Sequence, residues 1–151
     1  MTTLRSAFST GVERDGDVVR LRIEGERLAV DRETAERLRA ALGEALAGRR
    51  EFRRTAGEHR PDGSYVVARR GVDSPGNRAV FDSFGDLRRL YERLPGRFDA
   101  AAVGATAGDV TGSRRHMVLR HLAEHPVFDC ELTSRSPLVV EKRSAAEPGR
   151  Q

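Results

Sequence analysis

The chain has 151 residues, 38% of them apolar and 33% charged, with a net charge of +4 and a single cysteine. That length supports one good core or two small ones, and the apolar share is too high for a disordered chain. No run approaches the roughly 18 apolar residues of a membrane span. The start, MTTLRSAFSTGVERDGD, has no apolar centre of the kind a secretory signal needs. One cysteine excludes an intrachain disulfide. The expectation is a cytoplasmic protein without membrane attachment.

Residues 1–16 show no periodicity and are expected to form a flexible tail. From Asp17 to Val30 the chain alternates: Val19, Leu21 and Ile23 are interleaved with Arg20, Arg22 and Glu24, which gives a strand one apolar face and one wet face. Gly25 supplies a turn and Leu28 with Val30 continues on a return strand, so a hairpin is predicted. Asp31 suits a helix N-cap. Ala35, Leu38, Leu42, Ala45 and Leu46 recur at helical spacing, and Gly48 stops the helix, which should pack on the hairpin. Segments 51–56 and 64–70 read as strands around the turn chemistry of Pro61-Asp62-Gly63, and 78–81 as a further strand.

Ser83 can cap a helix over 84–94 whose buried stripe is Leu87, Leu90, Tyr91 and Leu94, ended by Pro95-Gly96. A short helix is expected to open at Phe98-Asp99, and the glycine-containing stretch 104–112 to form a loop. A third helix, capped by Thr111 or Ser113, should end before Pro126. It turns Val118 and Leu122 inward, whereas Ser113, His116 and Arg120 share the opposite face at i, i+3 and i+7. A two-stranded ribbon then pairs Phe128, Cys130 and Leu132 with Leu138 and Val140 around a tip at 134–137. The fold class expected is α+β: a small antiparallel sheet with a packed helix over 17–82, then a winged-helix-like unit of three helices and a β-ribbon over 83–143. Residues 144–151 are expected to be a disordered tail.

Charge is unevenly placed. Residues 49–78 hold eight arginines against Glu51, Glu58, Asp62 and Asp73, an excess equal to that of the whole chain. A basic patch attracts polyanions by phosphate contact and counterion release; an Arg-rich solvated strand surface has the same composition. Arginine outnumbers lysine 26 to 1, a bias that is not by itself a nucleic-acid signature.

The run SRRHMVLRHLAEHP followed by CELTSRSPLVVEK resembles the third helix and wing of winged-helix regulators. The runs VFDSFGDLRRLYERLP and GSRRHMVLRHLAEHPVFDCEL are similar to a haloarchaeal protein family that carries no transferable activity. The second resemblance implies a salt-rich cytoplasm. At 1 M salt the Debye length is about 3 Å, so direct contacts rather than long-range steering would carry any DNA binding.

Catalytic and metal chemistry is weakly signalled. His121-Leu122-Ala123-Glu124-His125 spells H-x-x-E-H, and two histidines at i, i+4 can face one zinc ion. Cys130 could be drawn in as a third ligand, but the motif closes a helix among core positions and no downstream glutamate is convincingly placed, so no metal and no cofactor are expected. Cys130 alternates with Phe128 and Leu132, which makes it a buried strand residue rather than a nucleophile. No glycine-rich phosphate loop and no basic–aromatic stripe for stacking bases is present. The expected function is therefore non-enzymatic: binding of double-stranded DNA, in transcription regulation, through Ser113, Arg114, His116 and Arg120 on the third helix, Arg135 at the wing tip, and Arg53, Arg54 and Arg69. The alternative is a protein-interaction adaptor. A folded patch joining these arginines would favour DNA; Glu92 and Glu124 across the open helix face would favour an adaptor. The oligomeric state is not legible.

Overall fold

A computed structural model of the chain describes residues 10–72 and 74–143. Among these the architecture is mixed α and β, with four α-helices and three small antiparallel sheets. The chain divides into two compact units, one ending at Ala45 and the other beginning at Leu46.

The first unit is a three-stranded meander, β1 (Gly11–Asp15), β2 (Val18–Ile23) and β3 (Glu26–Asp31), followed by α1 (Arg32–Leu46). The β2–β3 hairpin of the sequence reading is present, its turn made by Glu24 (φ 49°) and Gly25 (φ 88°). Positive φ at both turn positions matches the right-handed twist of the strands it joins. β1 was not expected; it pairs with β2 from Gly11↔Arg22 to Asp15↔Val18, turning part of the expected 1–16 tail into an edge strand. Residues 1–9, the remainder of that tail, and the expected disordered tail 144–151 lie outside the described residues. The register places Val12, Leu21 and Leu28 side by side on one face. Asp31 caps α1, accepting the Thr34 amide at 2.7 Å. Ala35, Leu38 and Leu42 share a groove with Val12, Val19 and Leu21, yet no described residue up to Ala45 is buried.

The second unit holds the core. Strands β4 (Gly48–Glu51), β5 (Thr55–His59), β6 (Tyr65–Arg69) and β7 (Arg78–Phe81) form an antiparallel sheet in sequence order. The single strand expected over 51–56 is instead two, because the chain reverses at Phe52-Arg53-Arg54, where the Phe52 amide donates to Thr55 O at 2.8 Å. The Pro61-Asp62-Gly63 turn is as read, with Gly63 at φ 94° and Asp62 Oδ1 accepting the Ser64 amide and hydroxyl. α2 (Phe84–Arg93) begins at Ser83, whose hydroxyl accepts the Asp86 amide at 3.1 Å. Phe98 lies in a short strand, β8 (Arg97–Asp99), rather than opening a helix, and Asp99 caps α3 (Ala100–Thr106) by accepting the Ala102 amide. α4 (Arg114–Glu124) leads to β9 (Cys130–Arg135) and β10 (Leu138–Lys142), and the third sheet runs β8-β10-β9.

α4 lies between the two sheets of this unit, packed on β5 and β6 on one side and on β9 and β10 on another. Five of its residues, Met117, Val118, Leu119, His121 and Leu122, are buried. Leu87, Leu90, Leu94, Val118, Leu122, Phe128 and Leu138 fall in one core, as their periodicities require, and Tyr65, Val67 and Ala79 of the second sheet belong to it too. Sharing that core joins the second sheet to the helices, so the compact division falls at 45/46 and not at 82/83. Among the described residues no helix is long and apolar enough to cross a membrane.

Candidate nucleic-acid interface

With both sides of α4 covered, only a narrow strip of it faces outward: Ser113 and His116 are exposed and Arg120 half-buried. This is the face selected by the i, i+3, i+7 spacing. Two turns of the second sheet border it. The β4–β5 turn carries Arg53 and Arg54, and the end of β6 with the turn after it carries Arg69 and Arg70. The two segments are tied to each other, since the Arg70 amide donates to Arg54 O at 2.9 Å and the Arg70 guanidinium to Phe52 O at 3.3 Å.

Arg53, Arg54, Arg69, Arg70, His116 and Arg120 surround one depression of about 420 Å³, with Thr55 and Met117 in its lining. A smaller one beside it, about 180 Å³, is bounded again by Arg53, Arg54 and Arg120, and by Arg135 from the end of β9, with Glu124 and Glu131. Five of the expected residues, Arg53, Arg54, Arg69, Arg120 and Arg135, thus converge from four separate segments, and His116 joins them. Partial burial lowers the pKa of Arg120, and the neighbouring Arg54, Arg135 and Arg69 guanidiniums lower it further, with Glu124 opposing them. Arg70 is ion-paired with Glu51 at 3.4 Å. Among the described residues none of Arg53, Arg54, Arg69, Arg120 and Arg135 makes an ion pair within 4.0 Å.

Arg114 does not join the patch. Its guanidinium donates to the carbonyls of Arg78 (2.8 Å) and Pro75 (3.4 Å), holding the start of α4 to the first residue of β7 and the turn before it. Glu92 lines a different depression with Asp82 and Asp109. Ser113 occupies the N-cap position of α4, but its side chain makes no capping bond there.

Behind the basic face lies a polar network that the sequence does not disclose. The Glu124 carboxylate accepts the amides of Arg54 (3.0 Å) and Thr55 (3.1 Å) and the Thr55 hydroxyl (2.7 Å). Having spent its proton on Glu124, the Thr55 oxygen accepts from His121 Nδ1 at 2.9 Å, which leaves Nε2 to accept the Tyr65 hydroxyl at 2.7 Å. Burial, and secondarily His125, hold the His121 pKa down to about 3. Both ring nitrogens are therefore engaged, and among the described residues no three metal-ligating side chains gather. Gly57 makes room for this arrangement: a Cβ there would collide with the Tyr65 hydroxyl and lie 2.6 Å from its ring carbon Cζ. Cys130 is buried, its thiol donates to Leu122 O at 3.2 Å, and burial pushes its pKa up to about 11, the state of an unreactive thiol.

Arg70 and Thr55 are the members that sequence reasoning missed; Glu124 was placed on the open face of the helix, but not as a partner of the turn. Arg70 was visible in the charge excess, and Glu124 lies one helical turn beyond Arg120, so its presence at that face was legible. Its bonds to the turn, some seventy residues away in the chain, were not.

Residues 30–142 match the model of the family of unknown function DUF7528, from the end of β3 to the end of β10. No curated protein and no solved structure matches the chain.

Proposed function

The chain belongs to this family, and from the basic face of its second unit we propose that it is a duplex-DNA-binding protein acting in transcription regulation. The observation that carries the reading is the convergence of Arg53, Arg54, Arg69, Arg120 and Arg135, without ion-pair partners among the described residues, along the exposed strip of α4. Guanidiniums placed this way repel one another unless a polyanion or its counterions lie between them, and the oxygens of a phosphate match their fork geometry, as those of a carboxylate do. The order helix, strand, helix, helix, ribbon, with strands arranged β8-β10-β9, supports a winged-helix unit in which α4 is the groove-facing helix and the β9–β10 tip the wing. Ser113, His116 and Arg120 would then read base edges, and Arg53, Arg54, Arg69 and Arg135 would hold phosphates.

One observation favours a second reading. The second sheet covers a side of α4 that a helix seated deep in a major groove leaves free, so the reachable strip is narrow. A protein adaptor that receives an acidic segment in the basic depression needs only that strip.

Titration of genomic duplex fragments from low to molar salt separates the two. Under the DNA reading, Arg120→Ala weakens specific binding by about 1–3 kcal/mol and relaxes sequence preference. Arg135→Ala weakens all duplexes alike and flattens the log–log salt slope by about 0.9, the loss of one phosphate contact. A wild type that ignores duplex DNA at working salt while retaining an acidic polypeptide would replace this reading with the adaptor.

A further inference from the structure

A carboxylate on the rim of a polyanion site is a liability, and Glu124 is such a group: it lines the depression that Arg53, Arg54, Arg120 and Arg135 surround. Its bonds explain its place. Oε2 takes the Arg54 amide and Oε1 takes both the amide and the hydroxyl of Thr55, so each oxygen is spent on the end of the β4–β5 turn. The turn closes on itself through the Phe52 amide and on its neighbour through the Arg70 amide. Those bonds shape it, but neither holds it to α4. Glu124 does, from the last turn of α4 and one helical turn after Arg120, beside the His121–Thr55 bond and the Phe52 ring on His121, and it alone bonds the Arg54 amide to the helix. We propose that Glu124 is a positioning residue that seats the arginine-bearing β4–β5 turn against α4, so that Arg53 and Arg54 present their charge beside Arg120. The proposal rests on the reading of this face as a polyanion site.

The sign of one substitution separates positioning from charge. If Glu124 were only an opposing charge, removing it would tighten binding to DNA. If it positions the turn, Glu124→Ala loses several-fold in affinity for labelled duplex DNA, although the variant is one unit more positive. Its log–log salt slope flattens toward the loss of two contacts, about 1.8 at 0.9 each. The double substitution Arg53→Ala/Arg54→Ala then costs the wild type much and the Glu124→Ala variant little, the non-additivity of groups that act through one another. Glu124→Gln keeps one acceptor oxygen and falls between, and it serves in place of the alanine variant if that one does not fold. Equal or tighter binding with an unchanged slope overturns the proposal and leaves the DNA reading intact. If the wild type binds no duplex, the DNA reading fails by itself and amide exchange decides the seating. The Arg54 and Thr55 amides should be protected in the wild type, both released in Glu124→Ala and only one of them released in Glu124→Gln, with Gly63 in the next turn unaffected. Unchanged protection overturns the seating.

Discussion

His121 has no proton to gain while the chain is folded. Its Nδ1 proton goes to Thr55, its Nε2 lone pair takes the Tyr65 hydroxyl, and the Phe52 ring stands edge-on to it at 5.3 Å. Burial and then His125 keep its pKa at about 3, and His125 is itself depressed to about 4 by burial and by Arg50, His59 and Arg88. Unfolded, a histidine titrates near 6.5. Between those values the unfolded chain binds protons that the folded chain refuses, so stability is full above about pH 6.5 and falls on acidification toward pH 3–4. For His121 the slope is about 1.4 kcal/mol per pH unit. Urea melts from pH 7.5 down to 4.5 should show the midpoint falling, and His121→Gln should flatten that dependence even as it lowers stability at neutral pH. A midpoint indifferent to pH would mean that the imidazole protonates in place.

At the scale of elements, α4 carries the second unit. Leu122 is fully buried in the core on a helix that packs on both sheets, so Leu122→Ala should cost about 2–5 kcal/mol in urea unfolding; a loss under 1 kcal/mol would mean that the site collapses around the gap. The helices were legible because their signals are local. Ser83 before a stripe of Leu87, Leu90 and Leu94 specifies start, face and length within a dozen residues. β1, β4 and β8 were not legible, since strands of three to five residues such as GVERD and GRRE carry little alternation and exist by pairing with a partner. The site divides the same way. The face of Ser113, His116 and Arg120 follows from helical period, and the arginines from charge, but that these meet depends on a sheet folding over α4. Arg114 shows the limit: spacing puts it beside that face, and two backbone carbonyls draw its guanidinium elsewhere.

The two units of the whole molecule differ in kind. The second has a continuous core with its buried polar groups paired; the described residues of the first bury nothing and leave Val12, Ile23, Leu28 and Leu42 between 44% and 66% exposed. A meander and one helix of this size gain little from apolar burial unless another layer covers them. Residues 11–45 should therefore open at low free energy, with amide exchange in β1–β3 and α1 orders of magnitude faster than in β5, β6 and α4. Uniform protection across both units would show that something covers the first one in solution.

The arginine patch has a consequence for the fold as well as for binding. Folding gathers like charges from four segments that the unfolded chain keeps apart, and the second unit forms against that repulsion. Dissolved ions relieve it, by screening and by condensing onto the patch. The same ionic strength that would loosen a bound polyanion under the proposed reading thus firms the protein itself. If the chain holds DNA as proposed, its two salt dependences run in opposite directions, and the medium in which it is most robust is the one in which it would have to bind by touch alone.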